Sequence, residues 1–156
     1  MAKPRELSLG DWNEIVDAFH AESDRGAAVL AGSFAENTLG HYLRACMRDP
    51  KVADELFAPM GPLSSLSQRI AVAYAFGLIS AAHYRDFQAI RRIRNHFAHH
   101  PFDATFGSTE IAKAAADLSM MDHAAAQHSQ GRKRTRIAYL LTCGFVCAQL
   151  LNSLEK

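Results

Sequence analysis

The chain predicts an all-α fold, a single-domain bundle of about five to seven helices. Apolar residues recur at three- and four-residue spacing through most of its 156 residues. Ser, Asp, Pro and Gly stand where those stretches start and stop. No two alternating apolar runs are joined by a hairpin signal, and no internal repeat is present. The length suits one domain with a real core.

Asp11 to Glu22 reads as a first amphipathic helix. Trp12, Ile15, Val16 and Phe19 form its apolar stripe, with Ser8 or Asp11 as cap. Ser23-Asp24-Arg25-Gly26 breaks the chain, and Asp24 is the expected N-cap of a long helix from Arg25 to about Arg48. Ala28, Gly32, Ala35, Leu39, Leu43 and Cys46 share one face of that helix, and its small residues admit a close neighbour. Glu36 sits at the margin of this face, where a carboxylate needs a partner.

Asp49-Pro50 closes that helix, and one or two short turns are expected from Val52 to Phe57. Pro59-Met60-Gly61-Pro62 is a loop. Ser64 or Ser65 opens a third long helix to about Leu78. Ser80 caps a fourth, from Ala81 to about His99, which stops because His100 precedes Pro101. After a loop, a short helix is expected from Glu110 to Leu118. Met121 to Arg134, with His123, His128 and Gly131-Arg132-Lys133-Arg134, reads as irregular and mobile. Thr135 to about Leu154 is a strongly apolar, central helix.

The bulk numbers narrow the function classes. Apolar residues make up 49% and charged residues 21%, ordinary for a soluble domain. A net charge of +1 supplies no global field, so direct DNA binding is not expected; it would need the fourth helix plus Arg132-Lys133-Arg134. The N-terminal residues lack the apolar run of a signal peptide. The longest uncharged apolar stretch, 137–151, falls short of the roughly 18 residues of a membrane span, so a cytoplasmic protein without membrane contact is expected. Cys46, Cys143 and Cys147 read as reduced, buried core residues. No phosphate-loop, dinucleotide or nucleophile-elbow pattern occurs, and no cofactor is expected.

The stretch Ala89-Ile90-Arg91-Arg92-Ile93-Arg94-Asn95-His96-Phe97-Ala98-His99-His100-Pro101 concentrates the chemistry. At about 100° per residue, Phe87, Ile90, Ile93, Phe97 and Ala98 form the core face. Arg94 falls inside that face. An arginine there either pairs or snorkels from the edge, because its guanidinium cannot shed its charge. Glu36 is the expected partner, a structural ion pair. The opposite arc holds Arg85, Gln88, Arg91, Arg92, Asn95, His96 and His99, and Arg91, Asn95 and His99 line one stripe. It is either a solvated basic face or a surface for a protein or nucleic-acid partner. His96, His99 and His100 suggest a metal, but the flanking arginines repel a cation and no carboxylate shares their turn, so no metal site is expected.

Two resemblances rest on these residues. Arg94-Asn95-x-x-x-His99 is similar to the R-x(4–6)-H signature of HEPN domains. Those are helical bundles, often dimeric, whose catalytic members cut RNA without metal. That resemblance implies a HEPN-like fold, a homodimer and, as the alternative function, a ribonuclease or RNA-binding protein. His99 would act as general acid or base, Arg94 would stabilise phosphate charge and Asn95 would orient the site. Arg94 and His99 lie about 140° apart on the wheel, however, so a straight helix does not place them on one face.

The wider chain resembles the mannitol operon repressor family. The resembling pieces are Arg25-Gly26-Ala27-Ala28, Ser33-Phe34-Ala35-Glu36, Glu55-Leu56-Phe57, Gly61-Pro62-Leu63, Arg69-Ile70, Tyr74 to Ile79, Tyr84-Arg85-Asp86 and Ile90 to His99. They divide the single domain 1–156 into an N-terminal helix (1–24), a family-like core (25–100) and a loop with C-terminal helices (101–156). The resemblance implies a transcriptional regulator. With no helix-turn-helix signature and no complete catalytic set, it would work through protein–protein contacts rather than as an enzyme or a major-groove reader.

Overall fold

The structure is a computed structural model and describes residues 12–127 and 131–156. The caps expected at Ser8 or Asp11, and His128, lie outside the described residues. Among those described there are eight helices and no strand: α1 (Trp12–Ala21), α2 (Asp24–Ala45), α3 (Pro50–Phe57), α4 (Leu66–Ala75), α5 (Ala81–His99), α6 (Thr109–Ala115), α7 (Met121–Gln127) and α8 (Gly131–Leu154).

The helices start where side chains can satisfy orphan backbone N–H groups. Ser80 Oγ accepts from His83 N at 3.1 Å. Ser65 and Gln68 form a reciprocal capping box at α4. Asp49 caps α3 with Pro50 in its first turn, so the one or two short turns expected from Val52 to Phe57 are part of a full helix. At α2 the cap is Ser23, not Asp24: Ser23 Oγ accepts from Gly26 N at 3.1 Å. Helix α4 stops at Ala75 rather than Leu78. Gly77 takes φ +68°, and Leu78 N donates to Ala73 O at 2.9 Å while Gly77 N donates to Tyr74 O at 3.0 Å, a Schellman closure.

Helix α2 is the spine. It packs against α8 on one side and α5 on the other, with α4 and α6 flanking α5 and α7 lying on α8. The core between them holds Leu39, Leu43, Phe87, Ile90, Ile93, Phe97, Phe106, Tyr139 and Val146. The rings of Phe97, Phe106 and Tyr139 form a row with centroid spacings of 5.0 and 5.5 Å. Two members of the expected apolar faces lie outside this core. Ala98 is exposed in the last turn of α5, next to fully buried Phe97, and Cys46 is exposed just past the end of α2 at Ala45. Cys143 and Cys147 are buried, and burial pushes the Cys147 thiol up to about 12.

Helix α8 begins four residues earlier than its apolar run. Gly131, at φ +80°, starts it, so Arg132, Lys133 and Arg134 form a helical first turn instead of a mobile segment. By length and composition α8 is long and apolar enough to cross a membrane. Here it is a core helix, with Ala138, Tyr139, Cys143, Val146, Cys147 and Leu150 buried among its neighbours.

At Gly32 helices α2, α5 and α8 come close together. A Cβ there would lie 2.7 Å from Tyr139 Oη and 2.9 Å from Arg94 Cδ. Tyr139 cannot give way, because it is fully buried and donates to Ala28 O at 2.7 Å. Gly32→Ala is therefore expected to cost about 1–3 kcal/mol by overpacking. Urea unfolding that superimposes on wild type would contradict this packing.

Candidate functional site

Helix α5 presents two chemically different sides, and the buried one is built around a carboxylate. Arg94 runs its stem across Gly32 into the α2–α5 seam, where Nη1 donates to Glu36 Oε2. A third member joins from α4: Arg69 Nη1 lies 3.7 Å from Glu36 Oε1. Arg69 also donates from Nε to Leu63 O at 2.8 Å, and its guanidinium lies 4.9 Å from the centre of the Phe57 ring. Burial lowers the Arg69 pKa; Glu36 opposes that shift, while Arg44 and Arg94 add to it. One carboxylate thus holds two guanidiniums that would otherwise repel each other inside the fold.

Sequence reasoning found Glu36 and Arg94 as a pair and missed Arg69. The signal was present: Arg69 lies three residues after Leu66 and four before Ala73, both buried, so it interrupts a core stripe as Arg94 does.

Two further buried carboxylates position α5 and its surroundings. Asp86, fully buried on α5, accepts from Ser119 N and from Ser119 Oγ, each at 2.8 Å, and clamps the α6–α7 turn. Burial raises its pKa against the lowering effect of those bonds. A raised folded-state pKa means the folded chain holds its proton more tightly than the unfolded one. The linked stability is fully present below the unfolded value of about 3.9 and is lost as pH rises through the folded value. Asp86→Asn keeps an acceptor for Ser119 and cannot ionise. It is expected to match or exceed the wild-type melting temperature at pH 8, with the difference shrinking towards pH 4; a difference constant with pH would contradict this.

Asp24 is the second hub. It accepts from Phe106 N at 2.9 Å, Arg132 Nε at 2.7 Å and Arg136 Nη1 at 2.8 Å. Arg136 Nη2 also caps the end of α1, donating to Glu22 O at 2.6 Å and Phe19 O at 3.2 Å. Burial pushes the Asp24 pKa up, yet the bonds from Arg132, Phe106 and Arg136 together hold it below the ordinary value.

The other side of α5 carries the expected polar arc. Arg85, Arg92 and His99 are exposed, and Arg91, Asn95 and His96 are half-buried. Arg91 folds back on Gln88, donating from Nε at 3.2 Å and Nη2 at 3.1 Å to Oε1. Arg92 reaches Asp117 at 3.8 Å, and the His96 and His100 rings stack at 4.3 Å. Arg92 and His96 line a cleft of about 300 Å³ with Glu110 and Lys113 of α6. Arg94 turns into the seam with Glu36 while His99 stays exposed, so the two residues of the R-x(4)-H motif have different surroundings. Among the described residues, no group of three or more His, Cys, Asp or Glu could hold a metal ion.

A family model described as MtlR, mannitol repressor, matches residues 50–142, from α3 into α8. The chain belongs to the mannitol repressor family. The matched span starts and ends later than the 25–100 stretch that the sequence motifs cover, and it includes Arg69, Asp86 and the whole of α5. No curated protein sequence matches this mannitol repressor relative. Among solved structures, MtlR of the MtlR–HPr complex from Escherichia coli is similar at TM-score 0.72 and 17% identity, covering 92% of this chain and 99% of that one. YggD from Shigella flexneri, described as a possible transcriptional regulator, is similar at TM-score 0.73 and 13% identity, covering 93% and 99%. At these identities the likeness is one of fold.

Proposed function

We propose that this mannitol repressor family member is a cytoplasmic transcriptional regulator that acts through protein contacts, with an HPr protein as partner and a homodimer as the working assembly. The observation that carries this is the family match over residues 50–142. The fold shared with an MtlR crystallised with HPr supports the partner. The cationic clusters support a protein-mediated mode over direct DNA reading. Arg132 and Arg136 are bound to Asp24, Arg91 is folded onto Gln88, and Arg94 is held by Glu36. In this reading the exposed arc of Arg85, Arg92 and His99, flanked by half-buried Arg91, Asn95 and His96, is available to a partner, and Glu36, Arg69 and Arg94 fix its backbone.

The test pairs a promoter reporter with a gel shift. Deleting the gene should raise expression from the controlled operon, while the purified protein alone should not shift promoter DNA in about 150 mM salt. A strong, salt-sensitive shift that Arg91→Ala weakens would replace the protein-mediated mode with direct binding. Cleavage of an RNA pool without metal, abolished by His99→Ala, would replace the regulator with a ribonuclease.

A further inference from the structure

The surface opposite in character to the cationic arc is the turn between α4 and α5. From Ile70 to Tyr84 the chain contains no Asp, Glu, Lys or Arg, and the structure leaves much of this stretch bare. Phe76 is 77% and Tyr74 45% exposed, and Ala71, Ala75, Ala81 and Ala82 are exposed around them. The patch is built rigidly. The Tyr74 ring stacks on Tyr84 at 4.4 Å, Tyr42 Oη donates to Leu78 O at 3.1 Å, and the Schellman closure at Gly77 fixes Phe76 beyond the end of α4. Rigid aromatic side chains lose little freedom on binding and are enriched in interface hot spots.

The apolar surface continues on to α8. His83 meets Phe145, itself 37% exposed, edge to face at 5.9 Å. Phe145 borders a groove of about 290 Å³ lined by Val16, Phe19, Leu141 and Ala148, with His20 as its one titratable side chain. At roughly 150–250 Å² per aromatic side chain, Tyr74, Phe76 and Phe145 alone leave on the order of 300 Å² bare. The alanines and the groove extend this towards the about 800 Å² per partner that a stable interface buries.

We infer that this face, centred on Phe76 and running through Tyr74, Tyr84 and Phe145, is where a second copy of the chain docks. A second copy fits because two uncharged faces meet about a two-fold axis without opposing like charges. An apolar, aromatic, charge-free centre is also the composition of homodimer interfaces. A partner with a charged docking rim would find no complement here; its complement is the polar arc of α5. The inference rests on the homodimer reading above and adds the surface that makes it.

Light scattering after size exclusion, over about 1–100 μM, tests this with Phe76→Asp and, as a control, Phe102→Asp at a 95% exposed site outside the face. Wild type and Phe102→Asp should have the mass of a dimer, and Phe76→Asp that of a monomer with an unchanged circular dichroism spectrum, a weakening of at least tenfold. If Phe76→Asp does not fold, Ala82→Glu at another exposed position replaces it. A dimeric wild type with an equally tight, folded Phe76→Asp dimer would overturn the face and leave the homodimer. A wild type monomeric throughout would overturn both. A monomeric wild type whose binding to HPr is abolished by Phe76→Asp would assign the face to the partner protein instead. The regulator reading stands or falls separately, on the promoter reporter.

Discussion

Asp24→Ala is expected to lower stability by about 3–5 kcal/mol, because it strips a buried carboxylate from two guanidiniums and a backbone N–H at once. The cost is not confined to one contact. Arg136, largely buried, would lose its anchor while still reaching the carbonyls at the end of α1, and Phe106 N would face no acceptor. For a chain of this length that corresponds to a fall in melting temperature of roughly 10 °C. The pH dependence has a definite sign. The folded-state pKa of Asp24 is lowered, so its stabilisation is present above the unfolded value of about 3.9 and is lost as pH falls through the folded value. Thermal melts should therefore show the Asp24→Ala penalty intact at pH 7 and shrinking on acidification. A variant within about 1 kcal/mol of wild type at pH 7 would mean that Asp24 does not tie α2, α8 and the 106 loop together.

Glu36→Ala is expected to cost about 2–3 kcal/mol. The figure is below that for Asp24 because Glu36, Arg69 and Arg94 retain 21%, 14% and 20% side-chain exposure and are partly screened by water. The loss comes from leaving Arg69 and Arg94 facing each other without an anion. A double-mutant cycle separates this from simple truncation. Arg94→Ala should cost less in the Glu36→Ala background than alone, with a coupling of about 1 kcal/mol or more. Strict additivity would mean that Arg94 snorkels rather than pairs.

The two hubs differ in how far they could be read from the sequence. Arg94 interrupts an apolar stripe and Glu36 borders one, so a wheel exposes both as charges needing partners, and only their mutual assignment is an inference. Asp24 breaks no stripe. It follows Ser23 at a helix start, where either residue fits the cap, and its guanidinium partners lie 108 and 112 positions away. Local pattern carries no information about such a contact. For the same reason the Gly131–Arg134 run reads as mobile: polar residues near a glycine resemble a linker until Asp24 is placed beside them. Ala98 and Cys46 fail differently: a wheel assigns a whole face to the core, and both residues are exposed at the C-terminal ends of their helices. Helix ends marked by a serine cap or by Pro are legible to within about three residues, whereas α7 lies in a stretch that reads as irregular and α8 starts at Gly131, four residues before its apolar run.

This division bears on the site. The R-x(4)-H motif looks like a single constellation in the sequence. In the fold, Arg94 serves the α2–α5 seam and His99 the exposed arc. On the proposed reading, the surface that α5 would offer a partner is a cationic and histidine-bearing strip whose backbone is fixed from behind by Glu36, Arg69 and Asp86. Rigid support of that kind favours recognition of a folded partner, because little ordering remains to be done on binding.

The most direct test of regulation through protein contact is a calorimetric titration of the purified protein with HPr from the same cells. Saturable binding near one HPr per chain is predicted, with a Kd in the micromolar range or tighter, weakened at least tenfold by combined Arg92→Ala and His99→Ala in a chain whose melting temperature is unchanged. No measurable heat at about 100 μM of each protein, or binding indifferent to both substitutions, would contradict it.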